Sequence, residues 1–179
     1  MKIVKNILLV IVALIALVLI AAAFMKKDFN IEREVTINKP RQDVFNYIKV
    51  LKNQTNYSKW VMMDPNAKME YKGTDGTVGS ISAWDSENKN VGKGEQEIVK
   101  IADGQRLDLA IRFERPFKSV ADAYMTTDDA GANQTKVKWG FHSKMAWPMN
   151  IFGAVMDMDK AVGGDLQTGL DNLKKVMEK

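Results

Sequence analysis

PMNIFGAVMDMDKAVGGDLQTGLDNLKKVMEK, residues Pro148–Lys179, places apolar side chains at steps of three and four: Phe152, Val155, Met156, Val162, Leu166, Leu170, Leu173 and Met177. That spacing winds into a single stripe along an α-helix. Pro148 suits a first helical turn, where its missing N–H costs nothing, and Lys174, Lys175 and Lys179 stand at the end where the helix dipole favours cations. A long amphipathic helix is expected, and its stripe needs a broad apolar surface to cover, because such a helix draws most of its stability from packing. Gly163, Gly164 and Gly169 interrupt it at about 1 kcal/mol each relative to alanine. Either the helix approaches a strand closely there, or room is kept above it for a bound molecule. Asp159 also falls on the stripe, as a polar handle in a cavity or as a carboxylate reaching the rim.

The surface that receives the stripe comes from the middle of the chain. Phe29, Ile31, Arg33, Val35 and Ile37 alternate with Glu32, Glu34 and Thr36, the period-two pattern of a strand. Asn38-Lys39-Pro40 stops that strand and opens a short helix carrying Val44, Phe45 and Ile48, with Asn38 as its cap and Pro40 in its first turn. A second short helical piece is expected over 51–60, closed by the turn chemistry of Asp64-Pro65-Asn66. Turn signals at short intervals then divide strands over 68–72, 78–85, 94–101, 106–114, 119–127 and 134–143. Leu107, Leu109, Ile111 and Phe113 share one face, and Val137, Trp139 and Phe141 oppose Lys136, Lys138 and His142. One face is buried and the other wet, as antiparallel sheets allow. The expected fold class is α+β: a seven-stranded antiparallel sheet curved around the long C-terminal helix, with two short helices after the first strand.

Residues Ile7–Met25 form an uninterrupted apolar run, about 28 Å long as a helix against a hydrocarbon core of roughly 30 Å. We expect 1–27 to be a single-pass transmembrane anchor and 28–179 the folded domain. A cleaved signal peptide is the alternative, since Ala21-Ala22-Ala23 offers small residues, but the apolar run is longer than such segments usually carry. Lysines stand on both sides of the span, with a weak lean towards a cytoplasmic domain. The net charge of +4 belongs to these flanks: Lys2, Lys5, Lys26 and Lys27 account for it, and residues 28–179 hold 22 basic against 22 acidic side chains. The basic patch that drives nucleic-acid affinity is therefore missing, and no nucleic-acid partner is expected. The chain has no cysteine, which excludes disulfides, thiolate metal sites and cysteine nucleophiles. Oligomeric state is left open.

Several pieces in order carry a resemblance: Ile37-Asn38-Lys39-Pro40 with Val44-Phe45, Trp60, the turn-rich Gly76–Trp84, Val91-Gly92-Lys93-Gly94, Thr135-Lys136-Val137-Lys138-Trp139, and Gly163-Gly164-Asp165-Leu166-Gln167-Thr168-Gly169-Leu170 followed by Asn172-Leu173-Lys174. Over about 29–178 the chain resembles the polyketide cyclase/dehydrase and lipid-transport family of the START-like (SRPBCC) superfamily. The resemblance implies a helix-grip fold with a deep hydrophobic cavity between sheet and terminal helix. It implies no particular reaction, because the superfamily shares no catalytic motif.

The residues themselves offer little for catalysis. Gly73-x-x-Gly76-x-x-Gly79 lacks the Gly-Lys-Ser/Thr ending of a phosphate loop and precedes a strand, so it reads as a hairpin turn. His142 is the only histidine and falls on the wet face, which leaves a conventional zinc site or a histidine triad without partners. Glu95 and Glu97 share a strand face that reads as solvent-facing, with a bulge near Ile98 and Gln96 turned inward. No cofactor, metal or catalytic residue is expected. Trp60, Trp84, Phe113, Trp139, Phe141, Met145 and Met156 cluster where a cavity and its mouth would lie, with Gln96, Tyr124 and Asp159 as polar groups. Three functions follow. One is a membrane-tethered module that binds a hydrophobic small molecule or lipid. Another is a cyclase- or dehydratase-type enzyme using Tyr124, Gln96, Asp159 or a glutamate. A regulatory interaction domain of the same fold, marked by an exposed apolar patch, is a third.

Overall fold

The computed structural model of the protein describes residues 2–179, apart from the side chains of Lys2, Phe152, Ala154 and Val155. The chain runs α1 (Lys2–Phe24), β1 (Asp28–Ile37), α2 (Arg41–Ile48), a 3₁₀ turn (Leu51–Asn56), α3 (Lys59–Met62), β2 (Lys68–Lys72), β3 (Ile81–Asp85), β4 (Lys93–Ala102), β5 (Arg106–Arg115), β6 (Ser119–Gly131), β7 (Gln134–Lys144), α4 (Asn150–Val155) and α5 (Met158–Met177). The strands form one antiparallel sheet in the order β1-β7-β6-β5-β4-β3-β2, so β2 to β7 meander and β1 closes against β7. Side-chain alternation sends Ile31, Ile37, Leu107, Leu109, Ala123, Met125, Val137 and Trp139 to the buried face, where Leu166, Leu170 and Leu173 of α5 lie against them. This is the expected α+β helix-grip arrangement. The bulge falls where the pattern changes phase: the β4–β5 register shifts between Ile98 and Lys100, which keeps Ile98 buried and turns Val99 out.

The register also sorts the loops to two ends. Asp28 pairs with Lys144, Lys68 with Asp85, Lys93 with Arg115 and Phe113 with Ser119. The end of α1, the 63–67 turn, the 86–92 loop, the 116–118 turn and the segment 145–157 are therefore gathered at one end. Ile37 pairs with Thr135, Lys72 with Ile81 and Ala102 with Arg106, which puts the remaining turns at the opposite end. The last turn of α5 joins them, since Glu178 accepts from the Asn38 backbone N–H at 2.7 Å.

Local chemistry departs from the expectation in four places. The terminal helix is two helices: Asp157 caps α5 by accepting from the Lys160 N–H at 3.0 Å, which restarts the helical phase after α4, and Pro148 stands in the turn ahead of α4. Phe152 and Val155, assigned to the stripe, lie outside the described side chains. Asn38 does not cap α2; its side-chain oxygen accepts from Gln134 at 2.7 Å, and Pro40 occupies the cap position. The second short helical piece is a 3₁₀ turn followed by a single turn of α-helix. Residues 78–80 stay out of β3 because Gly76 and Gly79, at φ +80° and +87°, turn the chain before it can extend.

α1 is apolar and long enough to cross a membrane over Ile3–Phe24, the dimensions of a span or a signal sequence; it extends further back than the run from Ile7 and ends before Met25. Its contacts with the domain are confined to its last turns. Ala22 is buried, the Asn150 amide donates to the Ala22 carbonyl at 2.6 Å, and the Trp147 indole N–H donates to the Leu19 carbonyl at 3.1 Å.

Candidate functional site: the cavity between sheet and helices

Between the inner face of the sheet and the helices lies a cavity of about 240 Å³, lined by Trp84, Gln96, Leu109, Ile111, Phe113, Ala123, Trp139 and Phe141 from the strands. Gln54, Ser58, Trp60 and Val61 close it from the 3₁₀ turn and α3, and Val162 and Leu166 from α5. Ala67, Met69, Asn90 and Val91 complete it at the α1 end of the sheet. The aromatic walls are propped by one another. Trp139 meets Trp60 edge-on with ring centres 5.9 Å apart and Tyr57 at 5.8 Å, while Trp84 meets Phe113 at 6.0 Å. Two glycines make the room these rings need: a Cβ on Gly94 would stand 2.7 Å from the Trp84 ring, and one on Gly169 2.8 Å from the Trp139 ring. The helical cover is fastened to α5 by the Lys59–Asp165 ion pair at 2.6 Å and by Asn172, which donates to the Tyr57 carbonyl at 3.3 Å.

The main polar feature of this space is an amide pair. Gln54 and Gln96 are both buried and bond reciprocally, the Gln96 amide donating to Gln54 at 2.7 Å and the Gln54 amide to Gln96 at 3.2 Å. Each amide keeps one N–H and one lone pair unspent. Ser58 and Asn90 add neutral groups, and none of the lining residues is ionisable. Tyr57, the large phenol behind the wall, is fully buried against the Met125 sulfur at 3.9 Å, and burial pushes its ionisation far above the ordinary range.

Trp60, Trp84, Gln96, Phe113, Trp139 and Phe141 are thus brought together around one space. Tyr124, Met145, Met156 and Asp159 are not. Tyr124 alternates with the inward Ala123 and Met125, so it stands on the outer face over Gly140, hydrogen-bonded to Glu32 and beneath the Arg106 guanidinium 4.2 Å from its ring centre. That bond raises the Tyr124 phenol and, opposed by desolvation, holds the Glu32 carboxyl below its usual range. Asp159 points to solvent and pairs with Arg33 at 2.7 Å, which holds its carboxyl low. Met156 is exposed because the break before α5 turns it off the stripe, and Met145 lies past β7, where its N–H donates to the Lys27 carbonyl at 2.9 Å. Glu95 and Glu97 face outward, bound by Arg112 at 2.9 and 2.5 Å, and His142 lies 2.5 Å from Asn30 on the same side. Among the described residues no three His, Asp or Glu converge as a metal site.

The partner of Gln96 escaped sequence reasoning although a signal existed. Leu51, Gln54 and Tyr57 are three apart, and a 3₁₀ turn stacks such residues on one face, so an amide between two buried apolar neighbours had to point inward.

Residues 28–178 match the sequence pattern of the family described as polyketide cyclase/dehydrase and lipid transport. The chain belongs to that family. No curated protein sequence matches it. Among solved structures, a protein from Thermobifida fusca is similar at 14% identity with a TM-score of 0.61, covering 83% of this chain and 92% of that one. Truncated norcoclaurine synthase from Thalictrum flavum is similar at 13% identity and TM-score 0.60, covering 85% and 95%. The di-domain ARO/CYC BexL of the BE-7585A biosynthetic pathway is similar at 12% and 0.60, covering 85% of this chain and 50% of that protein. At these identities the likeness shows the fold.

Proposed function

We propose that this protein is a membrane-tethered binding module, with residues 1–27 as anchor and 28–179 as the folded domain, and that it holds an uncharged hydrophobic small molecule or single-chain lipid between sheet and helices. The observation that carries the reading is the lining: aromatic and aliphatic on nearly every side, one neutral amide pair, and no ionisable residue. A cavity of about 240 Å³ lies just below the roughly 300–1,000 Å³ of ordinary ligand sites, which suits a small molecule. An ionised ligand would lose its hydration without meeting a cation, whereas a ketone, hydroxyl or ester would find the free N–H and lone pair of Gln54 and Gln96. The same lining weighs against a cyclase or dehydratase. Proton transfer needs an ionisable side chain within reach of the substrate, and Tyr124, Asp159, Glu95 and Glu97 all lie elsewhere.

The test is uptake of a fatty-acid methyl ester against the same fatty acid at neutral pH, read by Trp fluorescence of the full chain in detergent. The ester is expected to bind at least tenfold more tightly. Equal affinity for the ionised acid, or no uptake of either, would overturn the reading.

A further inference from the structure

The end of the domain from which α1 departs carries an unusual share of exposed apolar side chains. Phe117 is 79% exposed and Val120 71%, both at the β5–β6 turn, and Trp147, Met149 and Met156 follow β7 with about half of each surface free. These segments are far apart in sequence. The sheet register brings them level: Phe113 pairs with Ser119 and Ala121 with Ser143, while Asp28 pairs with Lys144. Phe117 stands in the β5–β6 turn beyond the Phe113–Ser119 pair, on the side where α1 leaves the domain.

A second observation fixes the depth of this end. Trp147 donates its indole N–H to the Leu19 carbonyl, and Leu19 lies five residues inside the end of α1, about 7–8 Å along the helix from Phe24. Where α1 crosses a bilayer, Trp147 therefore lies close beneath the head groups, within about 7–8 Å of the end of the span, with its indole N–H satisfied by the Leu19 carbonyl. We propose that the α1 end of the domain, with Phe117 and Val120 at the β5–β6 turn and Trp147 and Met149 after β7, seats in the lipid interface of the membrane that α1 crosses. This rests on the reading of α1 as an uncleaved anchor.

The apolar side chains carry the contact. Arg115, two residues before Phe117, is bound by Asp85, and Lys93 stands 3.6 Å from Asp85 and 3.3 Å from Glu114. Lys118, directly after Phe117, is left to face the head groups, so anionic lipid should strengthen a contact that zwitterionic lipid already supports. The cavity lies in the same half of the molecule: Met69, Trp84, Val91 and Phe113 line it from the strand ends and loop that face α1, while the opposite half is filled by Ile37, Phe45 and Leu107. Seating this end on lipid turns the cavity's rim towards the phase in which hydrophobic molecules are dissolved.

Because the chain has no cysteine, single labels can be placed cleanly. Phe117→Cys, Val120→Cys and, at the opposite end, Thr74→Cys are each introduced into the full chain, labelled with an environment-sensitive fluorophore and reconstituted in phosphatidylcholine vesicles carrying a head-group nitroxide quencher. The labels at Phe117→Cys and Val120→Cys are expected to be quenched severalfold more than that at Thr74→Cys, at low and high salt alike. Quenching no greater than at Thr74→Cys overturns the proposal, even where the same samples take up an apolar probe and the binding function stands. Strong quenching at both tip positions without probe uptake supports the seating and removes the binding function. Quenching that appears only with anionic lipid overturns the apolar contact.

Discussion

Leu107 and Phe113 stand on the same face of β5, six residues apart, and meet different fates. Leu107 is fully buried at the end remote from α1, among Ile37, Phe45, Val137 and Leu173, in the packed part of the interior. Phe113 is half-buried at the α1 end, edge-on to Trp84, with open space before it. Strand alternation is the same at both ends, so pattern does not distinguish core from cavity. The difference lies in what arrives from the other side. α2 covers the remote half and delivers Val44, Phe45 and Ile48, all buried, whereas the α1 half is covered by the 3₁₀ turn and the short α3, which bring the Gln54 amide and half-buried Trp60 and Val61 alongside buried Leu51. Two apolar half-interiors share one sheet, and only the fully covered one is filled.

The largest effect should come from Leu170→Asp in α5, which puts a charge where Leu170 has no exposure, at several kcal/mol against a typical total of about 5–15. Loss of the cooperative thermal transition is expected; a midpoint within a few degrees of the parent would contradict the packed interface.

Leu107→Ala and Phe113→Ala then set the two halves against each other. Leu107→Ala should cost about 2–5 kcal/mol, and Phe113→Ala less than the roughly 3–5 kcal/mol of a phenylalanine in a filled core, because the space beside it is already open. Denaturant unfolding measures both. Equal or larger loss at Phe113 would mean that the cavity is packed in solution.

The glycines of α5 give a smaller and more pointed contrast. A Cβ at Gly169 would press on the Trp139 ring, so Gly169→Ala should turn that ring into the cavity, shift its fluorescence and cost about 1–3 kcal/mol as overpacking. Gly164 has nothing within 4 Å, and Gly164→Ala should stabilise by about 0.5–1 kcal/mol through helix propensity.

The smallest effect concerns the exposed lock between β1 and α5. Arg33 holds the Asp159 carboxyl below the usual carboxylate range, so the pair stabilises the fold fully above that range and loses its contribution as pH falls through the lowered one. Amide protection factors in the first turns of α5 should therefore fall in acid below about pH 4 in the parent and change less in Asp159→Asn, with the difference shrinking in salt. An unchanged acid dependence in the variant would remove the lock.

Much was legible in the chain alone. The period-two runs in β1, β5 and β7, the turn residues between strands, the bulge after Ile98, the stripe of Leu166, Leu170 and Leu173 and the apolar run of α1 are all local signals, set by which neighbours share a face two or three and four residues on. Parity was also available to place Tyr124 outside, beside Asp122 and Thr126 rather than Ala123 and Met125. What the chain could not show is how facing surfaces fit. Gly163 and Gly169 are close-contact glycines because the Arg33 guanidinium and the Trp139 ring come from strands more than 25 residues away, and Gly164 between them touches nothing. Asp159 and Met156 left the stripe when Asp157 capped α5 and reset its phase. The cavity itself is a deficit of volume among side chains drawn from β2 to β7, the 3₁₀ turn, α3 and α5. Periodicity along one chain reports direction, but free volume is a sum over elements that only sheet register and helix docking bring face to face.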